Sequence, residues 1–360
     1  MTPTQNTRLQ SIDALRGLVI LFMLLDHVRE TFYLHMQVSD PMDVLHTDPA
    51  LFFSRTLAHL CAPVFVLLTG LAAFLYGAKH DSRAAVSGFL FKRGLFLVVL
   101  EVTLVNFAWT FQFPPTVIYL QVIWAIGLSM LALAALVWLP RWQLVTLGLV
   151  LVAGHNLLDS VHFVPGDWGY VPWAILHDRG WLEVSDQLRL RTSYPLLPWI
   201  GVIALGYAMG PWFAGSTSAS QRQRWLLGSA LGALGAFAVL RLLNITKYPP
   251  SLLFLALTLG VGLLLLRLFE RIDSSRLIGW LAVFGAAPMF FYLLHLYVLK
   301  LLYLASVGVW GTNQGQYFGF DNIWAIWLCA LVLSVALYPP VRWFAHLKAR
   351  RRDISWLKYF

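Results

Sequence analysis

The chain has 360 residues, 59% of them hydrophobic and only 12% charged, with a mean hydropathy of +0.69. A soluble domain carries about a quarter charged residues to keep its surface wetted, so a soluble globular protein is excluded. The formal charge of +9 would suggest nucleic acid in a soluble protein, but the Lys and Arg fall in short loops between apolar runs, a pattern of membrane topology and not of a nucleic-acid partner.

At roughly 20 residues per span the length holds about ten helices with short connections and no separate extramembrane domain. The first apolar run, 10–29, imitates a signal peptide after Arg8. Asp13 and Arg16 interrupt it, and no small-residue cleavage site follows, so it is expected to be a retained helix. Further runs follow at 51–77, 94–113, 116–138, 142–163, 193–214, 225–244, 250–269, 277–305 and 322–344, separated by Pro, Gly and charge clusters. They are too long and continuous for barrel strands. The expected fold is therefore all-α, a polytopic transmembrane helix bundle of about ten helices, with residues 1–345 as one domain and 346–360 as a basic cytoplasmic tail. Gly70, Gly206 and Gly260 are expected to allow close helix approach, and Pro288 to kink the ninth helix. Cys61 and Cys329 lie in apolar runs without framework spacing and read as small core residues.

Loop charge sets the expected orientation. Lys79, Arg83, Lys92 and Arg93 follow the second run, Arg141 the fourth, Arg222 and Arg224 the sixth, and Arg271 and Arg276 the eighth; the tail adds Lys348, Arg350, Arg351 and Arg352. The positive-inside rule then puts both termini in the cytoplasm of a multi-pass protein of the inner membrane. Residues 30–50, 164–192, 245–249 and 306–321 fall outside, and 164–192 carries Trp168, Tyr170, Trp173 and Trp181, which suit a membrane interface.

Ionisable groups inside a bilayer are costly and mark functional candidates. Arg16 and His27, eleven residues apart, share one helical stripe about 16 Å apart along the axis. Asp26, Arg29 and Glu30 flank the histidine, and the competing explanation is a helix end becoming polar at the interface. Arg55 and His59, at i,i+4, reach the same outer depth on the second helix, as do Tyr292 and His295 on the ninth. Each alone also fits an interhelical hydrogen bond; their common depth favours a site. Lys247 and Tyr248 precede Pro249 and Pro250, a rigid turn that aims a cation and a phenol at the cavity mouth. Glu101 reads as a buried carboxylate that is paired with a cation or protonated. His155, Asp159 and His162 have metal-ligand spacing but read better as a polar helix end. An imidazole at the outer end of a bundle can take a proton from a hydroxyl or amine, with a carboxylate such as Asp26 orienting it, while Arg16 can hold anionic phosphate at the cytoplasmic face.

The stretches "RLQSIDALRGLVILFMLLDHVRE" and "LFFSRTLAHLCAPVFVLLTGLAAFLYG", with "YPLLPWIGVIALGYAMG", "KYPPSLLFLALTLG" and "FGAAPMFFYLLHL", resemble the catalytic-domain family of heparan-alpha-glucosaminide N-acetyltransferase, chiefly its bacterial members. Arg16 and His27 also match the Arg-x10-His pattern of membrane acyltransferases that decorate bacterial surface glycans. The resemblance implies an acyltransferase that takes acyl groups from cytoplasmic acyl-CoA, in the first place acetyl-CoA, as co-substrate. One departure is visible: in the lysosomal enzyme an Asn occupies the position of His27 and the catalytic His lies farther along the luminal loop, where this chain offers only His35 and His46 nearby. The base role therefore goes to His27, with His35 in reserve, and the amino-sugar specificity does not transfer.

The leading expectation is transfer of an acyl group to a hydroxyl or amine of a glycan on the outer side. His27 and Asp26 are catalytic, Arg16 binds the cofactor, and Arg55, His59, Lys247, Tyr248, Tyr292 and His295 bind substrate or stabilise the oxyanion. Direct transfer and a transient acyl-histidine both fit. No metal is expected; the partners are membrane lipid and a glycan acceptor, and the oligomeric state, a dimer included, stays open. The rivals are a proton-coupled transporter of a small molecule, since buried Asp, His and Glu also serve as proton relays, and a haem or quinone protein using paired histidines.

Overall fold

The computed structural model describes residues 10–36, 47–80, 82–242 (for 242 the backbone alone), 251–351 and 353–360. The chain forms two compact units, one from the residues up to Cys61 together with those from Gly262 onward, the other from Ala62–Val261. Among the described residues, six helical stretches are long and apolar enough to cross a bilayer, and Val122–Leu136 and Arg276–Ala286 are shorter apolar helices. The chain is a multi-pass membrane protein built mainly of helices.

In the first unit, α1 (Gln10–Phe32) is the central element, packed by α2 (Pro49–Ala58) and by the last three helices. The second unit opens with α3 (Cys61–His80) and α4 (Arg83–Leu100). The apolar run at 51–77 is thus two helices, because the chain turns at His59–Leu60. Lys92 and Arg93, read as loop residues, lie inside α4; their long stems let the charged heads reach past apolar surface.

α4 continues through a wider π-turn at Glu101–Val105 into α5 (Asn106–Thr110), which ends where Phe111 adopts a left-handed conformation. The fully buried Glu101 carboxylate accepts the backbone N–H of Gln121 at 3.3 Å and of Trp124 at 3.1 Å. These belong to the first turn of α6 (Val122–Leu136), whose orphan N–H groups carry partial positive charge. Of the two expectations, a paired cation or a protonated carboxyl, the first is not met among the described contacts: the carboxyl faces a helix N-terminus. α7 (Arg141–Gly154) and α8 (Tyr170–Leu176) follow, then α9 (Leu196–Ala208) and α10 (Ala219–Leu242).

The second unit also holds a small sheet that a purely all-α reading does not foresee. β1 (Val117–Leu120) pairs parallel with β3 (Leu188–Thr192), which pairs antiparallel with β2 (Gly180–Ser185). Leu188, Leu190 and Thr192 alternate with Arg189 and Arg191 at the strand period, and both guanidinium groups lie over the Trp181 ring, at 4.8 and 5.0 Å. Three short strands inside an apolar chain give too weak a periodic signal to stand out beside twenty-residue helices.

α11 (Leu252–Arg271) is followed by α12 (Arg276–Ala286), α13 (Pro288–Trp310) and α14 (Ile323–Arg350). The expected kinked ninth helix is two helices, because Pro288 has no N–H to continue α12 and instead occupies the first position of α13. At 11 residues α12 is about 16 Å long, half a bilayer's hydrocarbon thickness. α14 runs on to Arg350, so the stretch read as a tail from 346 begins as helix, and residues 353–360 turn back until Phe360 packs on Phe344 and its carbonyl accepts from Lys348.

Close backbone approach holds these helices. The Cβ positions of Gly70 and Gly206 point at the backbones of α9 and α3 respectively, and that of Gly260 meets Leu234 and the Ala230 carbonyl, as expected of all three. The tightest pair is α1 with α12, where a Cβ at Gly17 would strike the Leu281 carbonyl and one at Gly285 the Asp13 carbonyl. This order, 13 against 285 and 17 against 281, makes the two helices antiparallel. Gly285→Leu should lower the melting temperature of the detergent-solubilised protein by several degrees, since overpacking a tight contact costs about 1–3 kcal/mol or more. Gly279→Leu, on the same helix but facing open space, should melt like the parent; an equal shift for both variants would deny the α1–α12 contact.

Candidate active site

The polar end of α1 carries Asp26, His27, Arg29 and Glu30 within five residues. Asp26 and Arg29, three residues apart, lie on one face, and Arg29 Nε donates to Asp26 Oδ1 at 2.9 Å. Arg29 Nη2 also donates to Glu30 Oε1 at 3.2 Å. The second cation comes from α2, whose start is fixed by Asp48: its carboxylate accepts the N–H groups of Ala50 and Leu51, and Pro49 takes the first helical position. One and a half turns on, Arg55 Nη1 reaches both oxygens of Asp26, at 2.6 and 2.9 Å. Trp327 of α14 donates its indole N–H to Ser54 Oγ at 3.0 Å, which pins the same turn of α2. Among the described residues, two carboxylates and two guanidinium groups thus pair off, the condition under which ions persist in an apolar interior.

His27 stands beside this cluster but takes its hydrogen bond elsewhere. Its Nδ1 lies 2.7 Å from Nε2 of His295, and the two rings are nearly coplanar in tilt, 11° apart with centroids at 5.0 Å. Tyr292, one turn earlier on α13, sets its ring edgewise to both imidazoles, at 6.0 and 5.6 Å. His295 is fully buried, and its Nδ1 donates to the Phe291 carbonyl at 2.8 Å.

The structure therefore brings together Asp26, His27, Arg55, Tyr292 and His295 from α1, α2 and α13. Asp26, expected to orient or stabilise His27, directs its side-chain hydrogen bonds to Arg29 and Arg55 instead; among the described residues, Nδ1 of the imidazole bonds His295. Both histidines were legible as outer-half candidates, but the pairing was not, because helices far apart in sequence decide it. His59 ends α2, its backbone N–H bonded to the Arg55 carbonyl. Arg16 lies toward the other end of α1, where Nη1 pairs with Asp13 Oδ1 at 2.9 Å and its Cβ borders Gly285 of α12. His35 sits in the turn after α1, against Tyr33 and over Gly319. Lys247, Tyr248 and His46 lie outside the described residues.

The residues with metal-ligand spacing disperse over other partners. His155 Nδ1 bonds the Leu151 carbonyl, Asp159 accepts from Asn156 and lies 3.3 Å from His177 Nε2, and His162 pairs with Asp178. The centre of this loop network is His177, buried, with Nδ1 on Asp178 and Nε2 on the His155 carbonyl. Sequence does not single it out, because Asp159 and His155 sit 18 and 22 residues away and Asp178 lies in a loop of no periodicity.

The model of the family described as heparan-alpha-glucosaminide N-acetyltransferase, catalytic, matches residues 8–244, which include α1, Arg16, His27 and Arg55, while Tyr292 and His295 lie beyond it. No curated protein gives a match to the chain. The match spans more than half of the sequence and contains the polar end of α1, and the chain belongs to the heparan-alpha-glucosaminide N-acetyltransferase catalytic-domain family, a family of membrane acetyltransferases.

Proposed function

We propose that this protein is an acyltransferase of the inner membrane that moves an acyl group, acetyl in the first place, from cytoplasmic acyl-CoA to a hydroxyl or amine of a glycan on the outer side. The observation that carries the reading is the buried imidazole pair His27–His295 beside an ion-paired Asp26–Arg29–Glu30–Arg55 cluster, on the helix that also bears Arg16. Both termini and the basic loops face the cytoplasm in this reading.

His27 removes the proton of the acceptor as its oxygen or nitrogen attacks the thioester carbonyl; the tetrahedral intermediate then collapses with loss of the CoA thiolate. Asp26 acts through Arg55, holding the guanidinium at the level of His27. Arg55, Tyr292 and His59 supply donors for substrate or for the developing oxyanion, which preorganised donors stabilise strongly in a site without bulk water. Lys247 and Tyr248 are assigned to the acceptor from the connection before α11. Arg16 takes an anionic group of the CoA portion, exchanging Asp13 for phosphate.

Purified protein given labelled acetyl-CoA and a glycan acceptor should release CoA and label the acceptor. Flux of a small molecule across vesicles without CoA turnover would instead establish a transporter. His27→Ala should insert normally and lose transfer by about 10²–10⁴-fold, the usual contribution of a general base; near-normal turnover in that variant would move the base role to His35 or elsewhere.

Arg16→Ala should raise KM for acetyl-CoA by roughly tenfold or more, as loss of a hydrogen bond to a charged group worth ~1.5–3 kcal/mol implies, with little change in KM for the acceptor. Asp13→Asn, which loosens the ion pair but keeps the guanidinium, should leave KM for acetyl-CoA unchanged or lower. The reverse pattern, acceptor KM rising alone, would overturn the two-ended assignment.

A further inference from the structure

We propose that His295 is a positioning residue that fixes His27 in the Nδ1–H tautomer and so puts the basic lone pair on Nε2. The inference deepens the acyltransferase reading and rests on it for its catalytic meaning, whereas the tautomer itself follows from hydrogen-bond chemistry alone.

The chain of donors starts at a group that can only accept. The Phe291 carbonyl lies 2.8 Å from His295 Nδ1, so that nitrogen carries a proton and donates it. In a neutral imidazole the other nitrogen then holds a lone pair, so His295 Nε2 is an acceptor. His27 Nδ1, 2.7 Å away, must be the donor. Its own second nitrogen, Nε2, is left with the lone pair.

The one way to reverse this polarity is to make His295 an imidazolium, with both nitrogens donating. The surroundings oppose it. His295 is fully buried and stacks on the Phe291 ring at 5.1 Å. The described carboxylates beside the pair, Asp26 and Glu30, already pair with Arg29 and Arg55, so a further positive charge would face a high burial cost.

The arrangement has the logic of base, orienter and anchor, with a second imidazole where a carboxylate is the usual orienter. When His27 Nε2 takes the acceptor's proton, the Nδ1–H already points at a lone pair on His295, so the new charge is shared over two rings without any movement of heavy atoms. Helix geometry keeps the anchor in place, since Phe291 and His295 are four residues apart on α13.

The test is nitrogen-15 NMR of the protein labelled at histidine, with the His27 signals assigned by their loss in His27→Gln. Nδ1 protonated and Nε2 bare at His27 is expected in the parent. In His295→Leu the acceptor is gone, and His27 should revert to the Nε2–H form that free histidine side chains favour, with turnover lower by about 10²-fold. His295→Gln places an amide oxygen where Nε2 stood and should keep the Nδ1–H form and recover turnover to within roughly tenfold of the parent. An Nε2–H signal for His27 in the parent, or a tautomer unchanged in His295→Leu, would overturn the inference even with acyl transfer intact. Conversely, an inert parent with the Nδ1–H signal present would remove the acyltransferase reading and leave the tautomer assignment standing.

Discussion

The carboxylate of Asp26 answers two guanidinium groups at once, and the polar end of α1 depends on that. One cation, Arg29, comes from the same helix and one, Arg55, from α2. An uncompensated buried ion would cost several kcal/mol, so the pairing does more than join two helices: it permits charge to exist beside the His27 imidazole. Because the described carboxylates and guanidinium groups are paired, they act on His27 as paired charges and not as a bare ion. A neutral imidazole, the form a general base needs, is compatible with such a neighbour.

The division of labour between carboxylate and histidine follows from what each can accept. Asp26 has its oxygens on guanidinium groups, which outcompete an imidazole N–H because both partners are charged. The imidazole is left to find a neutral acceptor, and α13 provides one. The helix break at Ala287–Pro288 matters here, since α13 starts afresh instead of continuing the axis of α12. α12 lies antiparallel along the Asp13–Gly17 part of α1, while α13 sends Tyr292 and His295 to its other end. A single helix with a modest kink could not serve both ends of α1.

Much of this was legible in the sequence, and the reasons for the remainder are specific. Long apolar runs mark bilayer-spanning helices because the membrane imposes one length and one polarity, and α1, α9, α10, α11 and α14 fall close to their runs. The boundaries that moved lie where local backbone chemistry overrides hydropathy: the turn at His59–Leu60, the left-handed Phe111, and Pro288 at a helix start. Hydropathy does not see such events, since the residues on both sides are apolar. Candidate site residues were legible as costly ions at one depth, so Asp26, His27, Arg55, Tyr292 and His295 emerged as a set. Who bonds to whom was not, because hydrogen bonding between α1 and α13 joins residues 268 positions apart. Glu101 shows the same limit: sequence reveals a buried carboxyl group, but its hydrogen-bond partners are the N-terminus of another helix, which no charged residue marks.

The extent of the family match sharpens what the site requires. It ends at residue 244, so His27 and its ionic neighbours lie within it, while the imidazole that bonds His27 is contributed from α13. Helices α1 and α2 do not supply the Nδ1 hydrogen bond of His27, which comes from His295. α13 fixes the direction of that bond through a carbonyl that can never donate. The C-terminal helices are thus more than packing for α1: they decide which nitrogen of His27 is basic, and that choice cannot be encoded in the residues around His27 themselves.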